Sequence, residues 1–444
     1  MKTQTELKNE ILSLVKEYTD AYHTRKAFTP GDRINYAGRF FDSDEVVNLA
    51  DSALEFWLTS GRFTGEFERR LADYIGVKYC SFVNSGSSAN LLAFMALTSP
   101  LLAERRVMPG DEVITVAAGF PTTIAPIVQY GAVPVFADIT IPQYNIDVSV
   151  LEDAVSEKTK AVMIAHTLGN PFDIAAVKAF CDKYNLWLIE DNCDALGSEY
   201  TLNGETRKTG AFGDIGTSSF YPPHHITTGE GGAVYTSNPL LHKIIRSMRD
   251  WGRDCVCASG QDNLCGRRFD GQYGEMPKGY DHKYVYSHFG YNLKATDMQA
   301  AIGVAQLNKV DSFTKARRCN FDMFRDKLSS VKDKLLLPEA CAYSKPSWFG
   351  FLITCCEGVD RNKLVDELEK NGVQTRMLFA GNILRQPCFD EMRKLGRGYR
   401  TVGDLADTDR VMNDTFWVGV YPGIDEEKII YITNIIIEEV KKCS

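Results

Sequence analysis

The sequence predicts an α/β protein in which a large domain with a mainly parallel sheet is followed by a smaller α+β domain. Short apolar runs at 112–116 (EVITV), 132–137 (AVPVFA), 161–166 (AVMIAH), 186–190 (LWLIE), 213–220 (GDIGTSSF) and 232–236 (GAVYT) are separated by helical stretches such as 172–184. Buried strands alternating with helices form parallel sheets. After residue 344 the pattern changes, mixing strand-like WFGFLIT with helical DRNKLVDELEKNG and DEEKIIYITNIIIEEV. With 444 residues, 44% hydrophobic and 24% charged, the chain can bury one large core or two and is neither fibrous, disordered nor a miniature disulfide scaffold.

Taken in order, the N-terminal 24 residues alternate charge with apolar side chains at helical spacing, and 44–58 (DEVVNLADSALEFWL) form an amphipathic helix. GVKYCSFVNSGSSANLLAFMALT is a strand, a Gly/Ser turn and a helix that begins near Ser87. Residues 245–285 are rich in Gly, Asp, Arg and Cys without usable periodicity, and a loop of that length in a compact domain usually carries function. Residues 295–330 form one long helix or two. These elements divide the chain into an N-terminal helical segment (1–60), a large domain (61–310) that includes a cysteine loop (250–285), and a small domain (311–444).

A net charge of −8 provides no overall basic field, so nucleic acid and anionic lipid are disfavoured as partners. No apolar run approaches 18 residues, and no export signal is evident. Twelve cysteines in so long a chain are too sparse for a disulfide framework, which predicts a cytoplasmic protein with reduced thiols, some of them candidate metal ligands.

Three constellations carry chemistry. NSGSSAN at 84–90 places small hydroxyl residues at the start of a helix, where unpaired N–H groups and the helix dipole favour a phosphate; Ser87 or Ser88 could equally be an ordinary cap. LWLIE runs into DNCDALGS, which puts Asp191, Cys193 and Asp194 at the carboxyl end of a strand, the edge where α/β folds bind ligands. Cys255-x-Cys257-x7-Cys265 lies in the irregular loop, and three sulfurs need a fourth partner for a tetrahedral or two-iron site. Cys193 is that partner, about 7 Å along an extended chain from Asp191. Zinc in a closed structural site is the alternative use of such a set.

Together NSGSSAN, GFPTT, EDNCDA, SSFYPPHH, GEGG and YNLKATDMQAAIGVAQL resemble, in order and spacing, the PLP-dependent nucleotide-sugar aminotransferases of the DegT/DnrJ type over roughly residues 30–430. The resemblance implies an aspartate-aminotransferase-like fold (PLP fold type I) and a homodimer. It assigns Ser87, Ser88 and Ser219 to a phosphate cradle, Phe120 to stacking on the pyridine, Asp191 to the pyridinium nitrogen, Asp194 to the vicinity of the ring hydroxyl, and Asn292 to the phosphate across the dimer interface.

The departures are more informative. Family aminotransferases carry a lysine in SF-x-x-x-K, whereas this chain has Ser219, Phe220, Tyr221, Pro222, Pro223 and then His224. Imidazole cannot tether the cofactor, which is then held non-covalently as pyridoxamine phosphate (PMP). Histidine's ordinary pKa of about 6.5 suits a general base, with Tyr221 as a helper and His225 a weaker candidate. This histidine together with the cysteine spacing resembles the iron–sulfur PMP 3-dehydrases of nucleotide-linked 4-keto-6-deoxyhexoses. That likeness implies a [2Fe–2S] cluster on Cys193, Cys255, Cys257 and Cys265, a CDP-linked sugar, and an NADH-dependent iron–sulfur flavoprotein as reductase. Competing expectations are a TDP-sugar 3-dehydratase, a cluster-free PLP dehydratase and a zinc-stabilised inactive relative. Arg376 and the pair Trp348/Phe349 are the candidate contacts for the nucleotide diphosphate or the sugar.

Overall fold

The computed structural model describes residues 1–442 apart from Cys265. Eight strands form the large sheet, in the order Tyr79–Val83, Gly232–Thr236, Ile215–Ser219, Trp187–Asp191, Thr159–Ala165, Glu112–Val116, Val133–Ala137 and Arg400–Thr401. Gly232–Thr236 runs antiparallel to both neighbours, and the remaining adjacent pairs are parallel. The central strands are buried along their whole length, as strands covered by helices on both faces must be. Successive side chains alternate between two cores: Ile114, Val162 and Leu188 enter one, while Val113, Met163 and Ile189 enter the other.

The apolar runs match these strands to within a few residues. The expected 44–58 helix is Ser43–Glu55, capped reciprocally by Asp42 and Glu45, and it ends where Phe56 turns left-handed. The long 295–330 stretch is two helices, Asp297–Leu307 and Val310–Leu328. Helix Gly86–Ala96 begins one residue earlier than expected, and its cap is Ser85, whose hydroxyl accepts the Ser88 N–H at 3.0 Å; neither Ser87 nor Ser88 caps it. Helix Pro239–Arg249 runs into the segment expected to be irregular, so the irregular chain starts at 250. Beyond it the bidentate pairing of Arg268 with Asp281 and the contact of His282 with Asp254 pin the loop.

A second, antiparallel sheet of Leu335–Leu336, Gly350–Cys355 and Thr415–Gly419 shares a core with helices Val310–Leu328, Arg361–Lys370 and Glu426–Lys442. Phe321 and Trp348 stack there at 3.7 Å between ring centroids. The C-terminal part is not confined to this sheet. Ile383, Leu384, Phe389 and Leu405 pack against Ala117, Ile124 and Phe136, and Arg400–Thr401 forms the edge strand of the large sheet. Among the described residues no helix is long and apolar enough to cross a membrane.

Arg400 fastens that edge strand through two contacts to Glu112, at 2.9 and 3.2 Å. Burial pushes the Glu112 carboxyl up, but Arg400 and the hydroxyls of Ser156 and Thr159 outweigh it and hold the group below the usual carboxylate range. Its stabilisation is therefore present above the unfolded-state pKa and is lost as pH falls through the folded value. Glu112→Gln should cost about 1 kcal/mol at neutral pH, at the low end because Arg400 is partly exposed. Denaturant unfolding at a series of pH values should show the gap to wild type closing below about pH 4.

Candidate active site

Three neighbouring parallel strands end at Ala165, Asp191 and Ser219, and all three residues line one cavity of about 330 Å³. This is the carboxyl edge at which open α/β sheets place ligands. The start of helix Gly86–Ala96 forms one wall through Gly86, Ser87 and Asn90, while Tyr36, Phe349, Arg376, Met377, Phe379 and Trp417 close the cavity from the small-domain side. A methyl group on Gly86 would collide with the Ser219 side chain, so the helix start and the strand end approach as closely as backbone and serine permit. The result is a concave patch of helix N-terminal N–H groups and hydroxyls, suited to a phosphate.

Asp191 is 4% exposed. Its Oδ2 accepts from Asn90 Nδ2 and from Thr123 Oγ1, each at 2.7 Å, and its Oδ1 accepts from the Cys193 N–H at 3.2 Å. Asn90 is oriented in turn by Thr217, whose hydroxyl donates to Asn90 Oδ1 at 2.7 Å. A carboxylate so held is a fixed negative end for a cationic N–H in the cavity. Phe120 projects beside it, about half exposed and edge-on to Phe379 at 5.8 Å.

The adjacent histidines part company. His224 lines the cavity, with Nδ1 at 3.3 Å from Asp194 Oδ1, close enough for an ion pair though not aligned as a hydrogen bond. Its ring packs at 5.3 Å from Phe349, and its N–H donates to the Tyr221 carbonyl at 2.9 Å. His225 points away into the protein, with Nε2 at 2.7 Å from the Ser347 carbonyl oxygen, and burial together with the nearby Arg317 charge pushes its pKa well below the ordinary range.

Of the residues singled out from the sequence, Ser87, Phe120, Asp191, Cys193, Asp194, Ser219, Tyr221, His224, Phe349 and Arg376 line this one cavity. Ser88 does not, because its N–H and hydroxyl are engaged by the Ser85 cap. Trp348 belongs to the small-domain core. Asn292 is exposed and outside the cavity of its own chain. Cys255 and Cys257 share two other clefts with Lys283 and do not meet Cys193, and Cys265 lies outside the described residues. Among the described residues no three His, Cys, Asp or Glu side chains are gathered as a metal site. Burial and the neighbouring Asp191 carboxylate push the Cys193 thiol well up.

Sequence reasoning missed Asn90 and Thr123, which hold Asp191, Thr217, which orients Asn90, and Tyr36, which lies under the Arg376 guanidinium at 4.3 Å. Asn90 had a usable signal, since it sits one helical turn after Gly86 and therefore shares its face. Tyr36 had none, because only the tertiary pairing of Ile34 with Val373 brings it there.

A twisted, mainly parallel sheet with a phosphate-suited helix start, a strand-end carboxylate and a capping small domain defines a PLP fold-type I protein. Residues 41–437 match the DegT/DnrJ/EryC1/StrS aminotransferase family, and the chain belongs to it. It is 53% identical over 435 residues to the lipopolysaccharide biosynthesis protein RfbH of Salmonella typhimurium, covering 97% of this chain and 98% of that one. It is 48% identical to the dTDP-4-dehydro-2,6-dideoxy-D-glucose 3-dehydratase of Saccharopolyspora spinosa, covering 98% and 93%. The structure of E. coli GDP-4-keto-6-deoxy-D-mannose-3-dehydratase with bound hydrated PLP superposes with a TM-score of 0.80 at 28% identity, covering 91% of this chain and 100% of that one.

Replacing Gly86 by Ala should force the helix start away from Ser219. Overpacking of this kind costs about 1–3 kcal/mol. Thermal melting and titration with PMP should show lower stability and weakened binding of the phosphate-bearing ligand.

Proposed function

We propose that this chain is a PMP-dependent 3-dehydratase of a nucleotide-linked 4-keto-6-deoxyhexose, acting in dideoxysugar and lipopolysaccharide biosynthesis. One observation carries the reading: His224 lines the cavity at the position of the family's lysine, and none of the lining residues is a lysine. The similarity to proteins named 3-dehydratases supports it. The residues present fit the cofactor. Gly86, Ser87 and Ser219 form a cradle for its phosphate, Phe120 offers a face to its ring, and Asp191 offers a carboxylate that has lost its access to water.

PMP supplies an electron sink joined to the carbon from which a proton must leave. Asp191, oriented by Asn90 and Thr123, would hold a proton on the ring nitrogen of the bound cofactor. With Nδ1 turned to Asp194, His224 has Nε2 left to take the proton. The same imidazole, once protonated, or the half-exposed Tyr221 hydroxyl then assists departure of the C3 hydroxyl. In the net reaction C3–OH becomes C3–H, one water leaves, and two electrons and two protons enter. Having no amine of its own at this position, the site cannot tether the cofactor for an ordinary transaminase cycle.

A [2Fe–2S] centre on Cys193, Cys255, Cys257 and Cys265, fed by an NADH-dependent iron–sulfur flavoprotein reductase, is supported by the cysteine spacing. A homodimer is proposed from the family resemblance, which assigns Asn292 to the cofactor phosphate across the dimer interface. CDP is the proposed nucleotide, with dTDP the second reading on account of the 48% identical relative.

His224→Ala should abolish dehydration while PMP still binds, and retained turnover would remove the residue from the role of base. His224→Lys should allow borohydride to fix pyridoxal phosphate covalently on the protein. Anaerobic incubation of the PMP-loaded enzyme with an electron donor and CDP-, dTDP- and GDP-4-keto-6-deoxyhexoses, followed by mass analysis for loss of one oxygen, identifies the nucleotide; no loss from any of them overturns the reading. Iron and sulfide in equal amounts, with a visible band bleached by dithionite, should accompany the purified protein, and Cys255→Ser or Cys257→Ser should block net deoxygenation while leaving proton exchange at the cofactor methylene intact. A zinc-loaded, colourless protein would contradict the cluster.

A further inference from the structure

His224 also borders a second cavity, of about 10 Å³, together with His225, Gln306, Arg317 and Tyr421. Three buried nitrogens on its lining residues have no hydrogen-bond partner among the described residues: His224 Nδ1, His225 Nδ1 and Arg317 Nε. Buried polar atoms are rarely left so, and three on one small cavity call for a shared ligand. The volume is at the threshold for a single water, which typically makes about three hydrogen bonds in such places.

Donor and acceptor roles at these nitrogens are fixed by the surroundings. Arg317 is 1% exposed and meets no carboxylate at hydrogen-bond distance; its fork donates to main-chain carbonyls, Nη1 to Trp348 at 3.1 Å and Nη2 to His224 at 3.3 Å. Burial pulls its pKa down to about 9, so it is still charged at neutral pH, and its Nε–H is a donor. His225 donates Nε2–H to the Ser347 carbonyl, and with its pKa far below neutrality its Nδ1 is a bare acceptor. His224 must carry its proton on Nδ1 if Nε2 is to act as a base.

We propose that this cavity is a one-water site in which the water accepts from Arg317 Nε–H and His224 Nδ1–H and donates to His225 Nδ1, and that Arg317 and His225 are thereby positioning residues for the base. The set does two things at once. It holds the His224 main chain through the Arg317 fork, and it fixes the imidazole in the tautomer that presents a lone pair to the active site. Asp194, at 3.3 Å, faces the same Nδ1 from the other side and shares that proton. Neither Arg317 nor His225 lines the active-site cavity.

The inference rests on His224 being the base, and the experiment separates the two ideas. A high-resolution crystal structure of the PMP-loaded enzyme should show a water within hydrogen-bond distance of both Arg317 Nε and His225 Nδ1, and nitrogen NMR should report His224 as the Nδ1–H tautomer; a dry cavity, or the opposite tautomer, overturns the proposal. In Arg317→Lys, which keeps a charge but not the fork, exchange of the PMP methylene proton with solvent should slow by at least about tenfold, the scale of a misplaced catalytic group, while PMP affinity and melting temperature stay near wild type. If His224→Ala loses exchange and Arg317→Lys keeps it in full, the positioning role fails and the dehydratase reading stands. If both keep it, the dehydratase reading fails. Should Arg317→Lys not fold, the water and tautomer of the wild type decide the matter alone.

Discussion

An almost fully buried carboxylate at the end of a strand is the constraint around which this molecule is arranged. Removing Asp191 from water is costly unless each oxygen finds a donor, and the donors come from three different elements: Asn90 from a helix, Thr123 from the GFPTT turn and the Cys193 N–H from the loop that follows. Those contacts hold only if the Gly86 helix lies against the Ser219 strand end, and that approach is possible only without a side chain at residue 86. Charge satisfaction at one residue thus fixes the relative placement of the phosphate-suited cradle, the aromatic wall at Phe120 and the His224 loop.

The residue before it shows how sharply a strand separates roles. Glu190 is fully buried on the opposite face, where the Gly210, Phe212 and Gly213 N–H groups and His166 Nε2 surround its carboxylate. Burial pushes its pKa up, but His166 and these N–H groups outweigh it and hold the group below the usual carboxylate range. His166 stacks on Phe172 and has no access to the cavity. Two consecutive carboxylates therefore do unrelated work: one ties a glycine-rich turn to the sheet, and the other awaits a cation in a cleft.

Most of the sheet was legible because short, near-continuous apolar runs bounded by turn residues mark strands buried on both faces, and runs such as EVITV and GAVYT coincide with the observed strands. The site was legible where motifs sit at strand ends, as for Asp191, Ser219 and His224. It was not legible where function depends on chain segments distant in sequence. Tyr36, Phe349 and Trp417 meet at the cavity only because the small sheet folds over it, and no local pattern announces that. Nor did the sequence distinguish Ser85 from Ser87 as the helix cap, since a run of serines offers the same hydroxyl at several offsets and only the backbone turn selects one.

The aromatic closure bears on why an imidazole can replace an amine here. A lysine would secure the cofactor by a covalent bond; without it, retention depends on phosphate contacts, ring stacking and burial acting together. Phe120, Phe349, Phe379 and Trp417 around the cavity supply apolar surface on several sides, and Phe349 packs directly on the His224 ring. Apolar walls of this kind lower the local dielectric and so strengthen the Asp191 and Asp194 electrostatics. On the proposed reading the small domain compensates for the missing tether, and the position so released moves a proton instead of holding a coenzyme.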